Sequence, residues 1–244
     1  MESLSTLRMA YEPRIARGAQ SEFQEELLGA AINNLEALGP LRINNFAYSL
    51  REFFRHLLLE AAPATEVAKC NWFSPVKGAT GGVTRAHRAK YAIQGGLSDK
   101  FLGKKLGFEG VNEVLTELAK SQNTLRKYTH IEPDTFGVSD AETNKVAKKC
   151  LEAAASYVER IIDCRSSVRD ALTDHIDQHL LDEIVSNGIA ALGELATHAW
   201  TDDHVIEGIL INGISATTVL VHVSGTVDVV LQYGSDADVK RDMG

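Results

Sequence analysis

Residues 21–62 read SEFQEELLGAAINNLEALGPLRINNFAYSLREFFRHLLLEAA. Phe23, Leu27, Leu28, Ala31, Leu35 and Leu38 recur at three- and four-residue spacing, the period of one face of an α-helix. Gly39-Pro40 then supplies a C-terminal glycine and a residue that cannot continue the helix. The pattern resumes over about 41–62 with Phe46, Leu50, Phe53, Phe54, Leu57 and Leu58 on one side, and Pro63 closes it. Two amphipathic helices joined by a short break form an antiparallel hairpin. That hairpin sets the expectation of a helical bundle.

Toward the N-terminus the periodicity is lost, and residues 1–20, with Pro13 and Gly18, read as an irregular leader. Toward the C-terminus a loop at 63–83 carries Gly78-Ala-Thr-Gly-Gly82. It lacks the Lys-Ser/Thr that a Walker-type phosphate loop requires. A short basic helix, RAHRAKYAIQ over 85–94, ends at Gly95-Gly96, and a small element follows at 98–106. Val111, Val114, Leu115, Leu118 and Leu125 mark a helix over about 110–129. Ser139 with Glu142 forms a capping box for a long helix to about 170, followed by one more over 171–186. From about 204 the period becomes two. Three β-branched runs, beginning at Val205, Thr217 and Thr226, predict three strands in hairpins. The fold class is α+β: a helical bundle over 21–186, then a small antiparallel β segment over 187–244. So small a sheet is expected either to pack on the helical part or to be the front of a larger β domain.

The chain of 244 residues carries a net charge of −8, unevenly spread. Residues 41–130 hold fourteen Lys/Arg against seven Asp/Glu, whereas 131–244 hold eight against twenty. A basic middle can attract phosphate while the rest keeps the protein in solution, or it can dock on an acidic partner. No apolar run suits a signal peptide or a membrane helix, so the cytoplasm is the expected location. Cys70, Cys150 and Cys164 lack metal-type spacing. Cys150 and Cys164 would lie about 21 Å apart on one helix, too far for a disulfide.

Two Arg/His pairs lie in the basic middle: Arg51-Glu-Phe-Phe-Arg-His56 and Arg126-Lys-Tyr-Thr-His130. An imidazole can move a proton near neutral pH while a permanently charged guanidinium holds phosphate. Arg51 and His56 stand about 140° apart around a regular helix and do not share a face. Arg126 and His130, four apart, do. His130 is then the candidate general base with Arg126, and His56 with Arg51 is the second pair. Lys127, Arg55, Arg85, Arg88, Lys90 and Tyr128 are candidate nucleic-acid contacts, and Trp72, Phe73 and Tyr91 could stack on bases. A metal-dependent alternative uses Asp228, Asp238 and Lys240 around Mg²⁺, an acid followed by an acid-x-Lys pattern. His175 and His179 have metal-compatible spacing but no clear third ligand. Each of these groups also has an ordinary reading, as a solvated helix face or a helix-end cap.

The stretches LREFFRHLLL (50–59), YAIQGGLSD (91–99), LRKYTH (125–130) and GTVDVVLQYGSD (225–236) together resemble the predicted pPIWI-associating nucleases of bacterial conflict and phage-defence neighbourhoods. The helical part also resembles the HEPN superfamily, whose active members cut RNA without metal through an Arg-x4–6-His motif at a dimer interface. Glu52 follows Arg51 where active members usually carry another polar residue, and Arg126 and His130 enclose only three residues. The resemblance implies a metal-independent ribonuclease acting as a homodimer, with RNA as substrate and an operon-encoded defence protein as a partner. A HEPN-like binding or adaptor subunit without catalysis is its rival.

Overall fold

The computed structural model describes residues 4–183 and 198–232. The helices are α1 (Leu4–Ala16), α2 (Glu22–Glu36), α3 (Arg42–Ala61), α4 (Ala64–Val67), α5 (Arg85–Gln94), α6 (Asp99–Leu106), α7 (Val111–Tyr128) and α8 (Asp140–Glu183). Strands β1 (His198–Ile214) and β2 (Val219–Gln232) pair as a two-stranded antiparallel sheet. The protein is α+β and mostly helical. None of its described helices is long and apolar enough to cross a membrane.

Two compact units divide the chain: residues through Arg165 together with Ile214–Thr218, and the remainder from Ser166. In the first unit α2 and α3 form the expected hairpin. Phe46, Leu50, Phe53, Phe54 and Leu57 of α3 are buried against Leu28, Ala31, Ile32 and Leu35 of α2. The same core takes Leu118 and Leu125 of α7, Ile93 of α5, and Ala147, Cys150, Leu151, Ala154, Tyr157 and Val158 of α8. Burial pushes the Cys150 and Cys164 thiols up to about 11, so neither forms an appreciable thiolate at neutral pH. Two members of the expected apolar face lie outside: Phe23 and Leu38 are exposed. Gln24 is buried on α2, and its amide donates to Glu60 Oε2 at 2.7 Å.

The leader expected to be irregular is helical. Leu7, Tyr11 and Ile15 make a single buried row at four-residue spacing. Such a narrow stripe with Pro13 inside it gives little periodic signal, and long-range polar contacts secure the helix instead. Arg14 donates twice to Glu159, at 2.6 and 2.8 Å, and Arg8 bonds Glu12, Asn33 and Glu36. Two further differences are mergers. The helices expected on either side of residue 170 are one, α8. The second and third expected strands are also one, β2. Ser224-Gly225 does not turn the chain but runs on as strand, where a Cβ on Gly225 would meet the Val205 carbonyl oxygen at 2.3 Å. Glycine here permits close strand approach. The boundary expected at 186/187 lies outside the described residues.

The turn Ile214–Thr218 belongs to the first unit, where Gly96 N–H donates to Ser215 O at 2.8 Å. Ala216 packs against a small cluster of Ala62, Val67, Cys70, Val83 and Tyr91. Burial raises the Tyr91 phenol to about 12. A Cβ on Gly96 would stand 1.9 Å from Ala216 O, so Gly96→Ala must displace the turn. We expect a loss of about 1–3 kcal/mol in stability and faster proteolysis at 214–218. Gly103→Ala, inside α6 with nothing within 4 Å of its Cβ, should be neutral or stabilising by up to ~1 kcal/mol. Equal melting and digestion of Gly96→Ala and wild type would contradict the tight docking.

Candidate functional site

Three helices turn one face each toward a cleft of about 700 Å³ within the first unit. From α3 come Arg51, Phe54, Arg55, Leu58 and Leu59; from α5, Arg85, Ala86, Arg88 and Ala89. From α7 come Leu115, Leu118, Ala119, Gln122, Asn123 and Arg126. Each set follows the three- and four-residue rhythm of a helix face. Five arginines therefore share one cleft, and no lining residue is acidic.

Packing holds this cationic group in place. Asn44 of α3, buried, donates to the Tyr128 carbonyl at 2.9 Å, satisfying an end carbonyl of α7. About two turns further along α3, Arg51 Nη1 donates to Thr129 Oγ1 at 2.9 Å. Burial lowers the pKa of Arg51, and the positive charges of Arg85 and Arg126 lower it further against a weaker opposing pull from Glu52. Arginine stays protonated regardless, so the shift expresses first the cost of holding that charge partly buried, and then its place beside two other cations. The Arg51 Nε and the Gln122 amide nitrogen are buried without a hydrogen-bond partner.

The other two cations are partly committed. Arg55 Nε donates to Glu52 at 2.7 Å, and its Nη2 lies 2.8 Å from His56 Nε2. Arg88 donates to the Ala62 carbonyl. Among the described residues, the side chains of Arg85 and Arg126 have neither an ion pair nor a hydrogen bond.

The cleft thus gathers Arg51, Arg55, Arg85, Arg88 and Arg126 from the residues singled out in the sequence, and leaves the others elsewhere. His56 is half-buried, set edge-on to Phe23 with ring centroids 5.0 Å apart, and does not line the cleft. His130 is exposed just past the end of α7, two residues after Tyr128. A third imidazole, His87, sits in a capping box with Thr84 and edge-on to Phe73. Lys127 pairs with Asp134 at 3.3 Å, Lys90 with Asp99 at 2.8 Å, and Tyr128 is buried. Trp72 donates to Gly95 O at 2.9 Å and packs beneath Lys90. Asp228 is exposed on β2, in the second unit. Asp238, Lys240 and the side chains of His175 and His179 lie outside the described residues. Among the described residues no three His, Cys, Asp or Glu side chains gather as a metal-binding group. Gln122 is a polar lining residue that sequence reasoning missed. Its signal was the α7 row Leu115, Leu118, Gln122 and Arg126.

A family model described as predicted pPIWI-associating nuclease matches residues 17–154, and a second model of the same description matches 161–244. The chain belongs to the predicted pPIWI-associating nuclease family. The junction between the two matches falls close to the boundary between the compact units at 165/166. No curated protein and no solved structure matches the chain.

A cleft of five guanidiniums, two of them without a partner among the described residues, should be relieved by a polyanion. At fixed ionic strength, inorganic pyrophosphate should raise the melting temperature in a saturable way, because a ligand that binds only the folded state stabilises it. Arg126→Gln, which removes an exposed cation that has no partner, should abolish that rise without lowering the melting temperature at low salt. An equal pyrophosphate shift in the variant would remove Arg126 from the anion site.

Proposed function

We propose that this nuclease-family chain grips single-stranded RNA by its phosphates in the arginine cleft and cleaves it without a metal ion. The observation that carries the reading is the lining itself: five guanidiniums and no carboxylate. In metal-free RNA cleavage the ribose 2′-hydroxyl attacks phosphorus, and negative charge builds on the pentacoordinate phosphate. Fixed guanidiniums can stabilise that charge in place of a cation. Carboxylates, which would hold Mg²⁺, are missing from the walls. The apolar floor of Phe54, Leu58 and Leu118 suits a base or ribose face, and Gln122 and Asn123 offer polar groups to base edges.

The proton must move through a group outside the lining. In this reading His130 is the general base, since it follows Thr129, to which the central Arg51 donates. His56 is the second candidate, reached through Arg55. A HEPN-like homodimer would bring a second copy of either histidine to the cleft, and a defence-operon protein is a further partner in the same scheme. That no imidazole, carboxylate or thiol lines the cleft favours a second reading: a nucleic-acid-binding subunit whose chemistry another protein completes.

Labelled single-stranded RNA incubated with the purified protein in EDTA separates these readings. Cleavage that survives chelation, falls at least about a hundredfold in His130→Ala and falls in Arg51→Gln supports the first. Cleavage that requires Mg²⁺ and persists in both histidine variants returns attention to Asp228 and overturns it. Salt-sensitive binding with no cleavage under either condition supports the adaptor.

A further inference from the structure

Three of the five cleft arginines, Arg51 on α3, Arg85 on α5 and Arg126 on α7, differ from the other two in what they are given to do. Arg55 and Arg88 already have protein partners in Glu52, His56 and the Ala62 carbonyl. Arg85 and Arg126 have none among the described residues, and Arg51, which donates from Nη1 to Thr129, keeps a buried Nε without a partner. The three come from separate helices and line one cleft, where the charges of Arg85 and Arg126 bear on Arg51. Crowding of this kind is unfavourable until an anion arrives.

The charge of that anion can be argued. An internal phosphodiester brings one negative charge and two free oxygens. A phosphate monoester at a strand end brings about −1.5 to −2 at neutral pH and three strong acceptor oxygens. Guanidiniums pair with such oxygens in fork geometry, and three separate forks can serve three oxygens. Arg85 is the first residue of α5 and Ala86 the second, and both line the cleft, so the positive end of that helix faces the same space. The buried Gln122 amide nitrogen adds a donor in the wall. Beside these groups, Phe54, Leu58 and Leu118 give an apolar surface for the terminal nucleoside.

We propose that the Arg51–Arg85–Arg126 cluster is a pocket for the terminal phosphate monoester of a single-stranded nucleic acid, so that the protein engages phosphorylated strand ends in preference to internal positions. The proposal rests on the reading of the cleft as a nucleic-acid site and specifies which part of the strand enters it.

The test uses 2′-O-methyl ten-mers, which lack the attacking hydroxyl, in fluorescence anisotropy with the full chain. One carries a 5′-phosphate, one a 3′-phosphate, one hydroxyls at both ends, and one is circular. We expect one phosphorylated strand to bind about tenfold tighter than the hydroxyl and circular strands, the gain of roughly one charge-assisted hydrogen bond. Which of the two does so identifies the end. In Arg85→Gln and in Arg126→Gln, both solvent-exposed positions without partners to lose, that ratio should collapse to about one. Equal affinity of all four strands for the wild type overturns end recognition and leaves the cleft as an internal phosphate grip. A preference that survives both substitutions overturns the assignment to this cluster. No binding of any strand overturns this proposal together with the reading on which it rests.

Discussion

The structure of the cleft depends on α3 being asked to do two opposite things. One side of it, through Phe46, Leu50, Phe53 and Leu57, is the centre of the hydrophobic core. Residues one step around the same helix put Arg51 and Arg55 beside cations from α5 and α7. Burying a large aromatic or aliphatic side chain contributes about 1.5–3 kcal/mol, and α3 buries several. That stabilisation exceeds the repulsion among guanidiniums that solvent still screens in part. The core therefore holds together a charge cluster that would not assemble by itself. Asn44 and Arg51, bonded to successive groups at the end of α7, fix the two helices in the register that brings Arg126 alongside.

The separation of charge types across this site bears on mechanism. Arginines line it, whereas the imidazoles of His56, His87 and His130 each have another position: against Phe23, in a helix cap, and in solvent beyond α7. Under the proposed function, phosphate binding and proton transfer would be divided between the cleft and its surroundings. Such a division suits a site completed by a second chain or by the movement of a strand end.

Much of this was legible in the amino-acid sequence, and the failures have physical causes. The α2–α3 hairpin could be read because its buried face is wide and its break contains Gly39-Pro40. Helical geometry alone separated Arg51 from His56, and they do lie on different faces, with only Arg51 in the cleft. Convergence of Arg85 and Arg88 with Arg51, Arg55 and Arg126 could not be foreseen. The relation between α5 and α3 is a tertiary fact, and local spacing is silent about it. The α1 helix was missed because one narrow row of Leu7, Tyr11 and Ile15 is stabilised by contacts with distant residues, Asn33, Glu36 and Glu159. The strand merger at Ser224-Gly225 was missed because glycine marks both turns and close approaches, and only the position of Val205 distinguishes them.

The central claim is that this cleft, and not the general basic surface of the middle segment, carries the electrostatic grip on nucleic acid. The salt dependence of single-stranded RNA affinity measures it most directly. Each phosphate contact contributes about −0.7 to the slope of log K against log salt on single strands. The account predicts that Arg51→Gln, Arg85→Gln and Arg126→Gln each make the slope shallower, by up to about 0.7, while Lys127→Gln, already paired with Asp134, leaves it near the wild-type value. Slopes unchanged by the three arginine substitutions and reduced by Lys127→Gln would place the grip elsewhere and contradict the account.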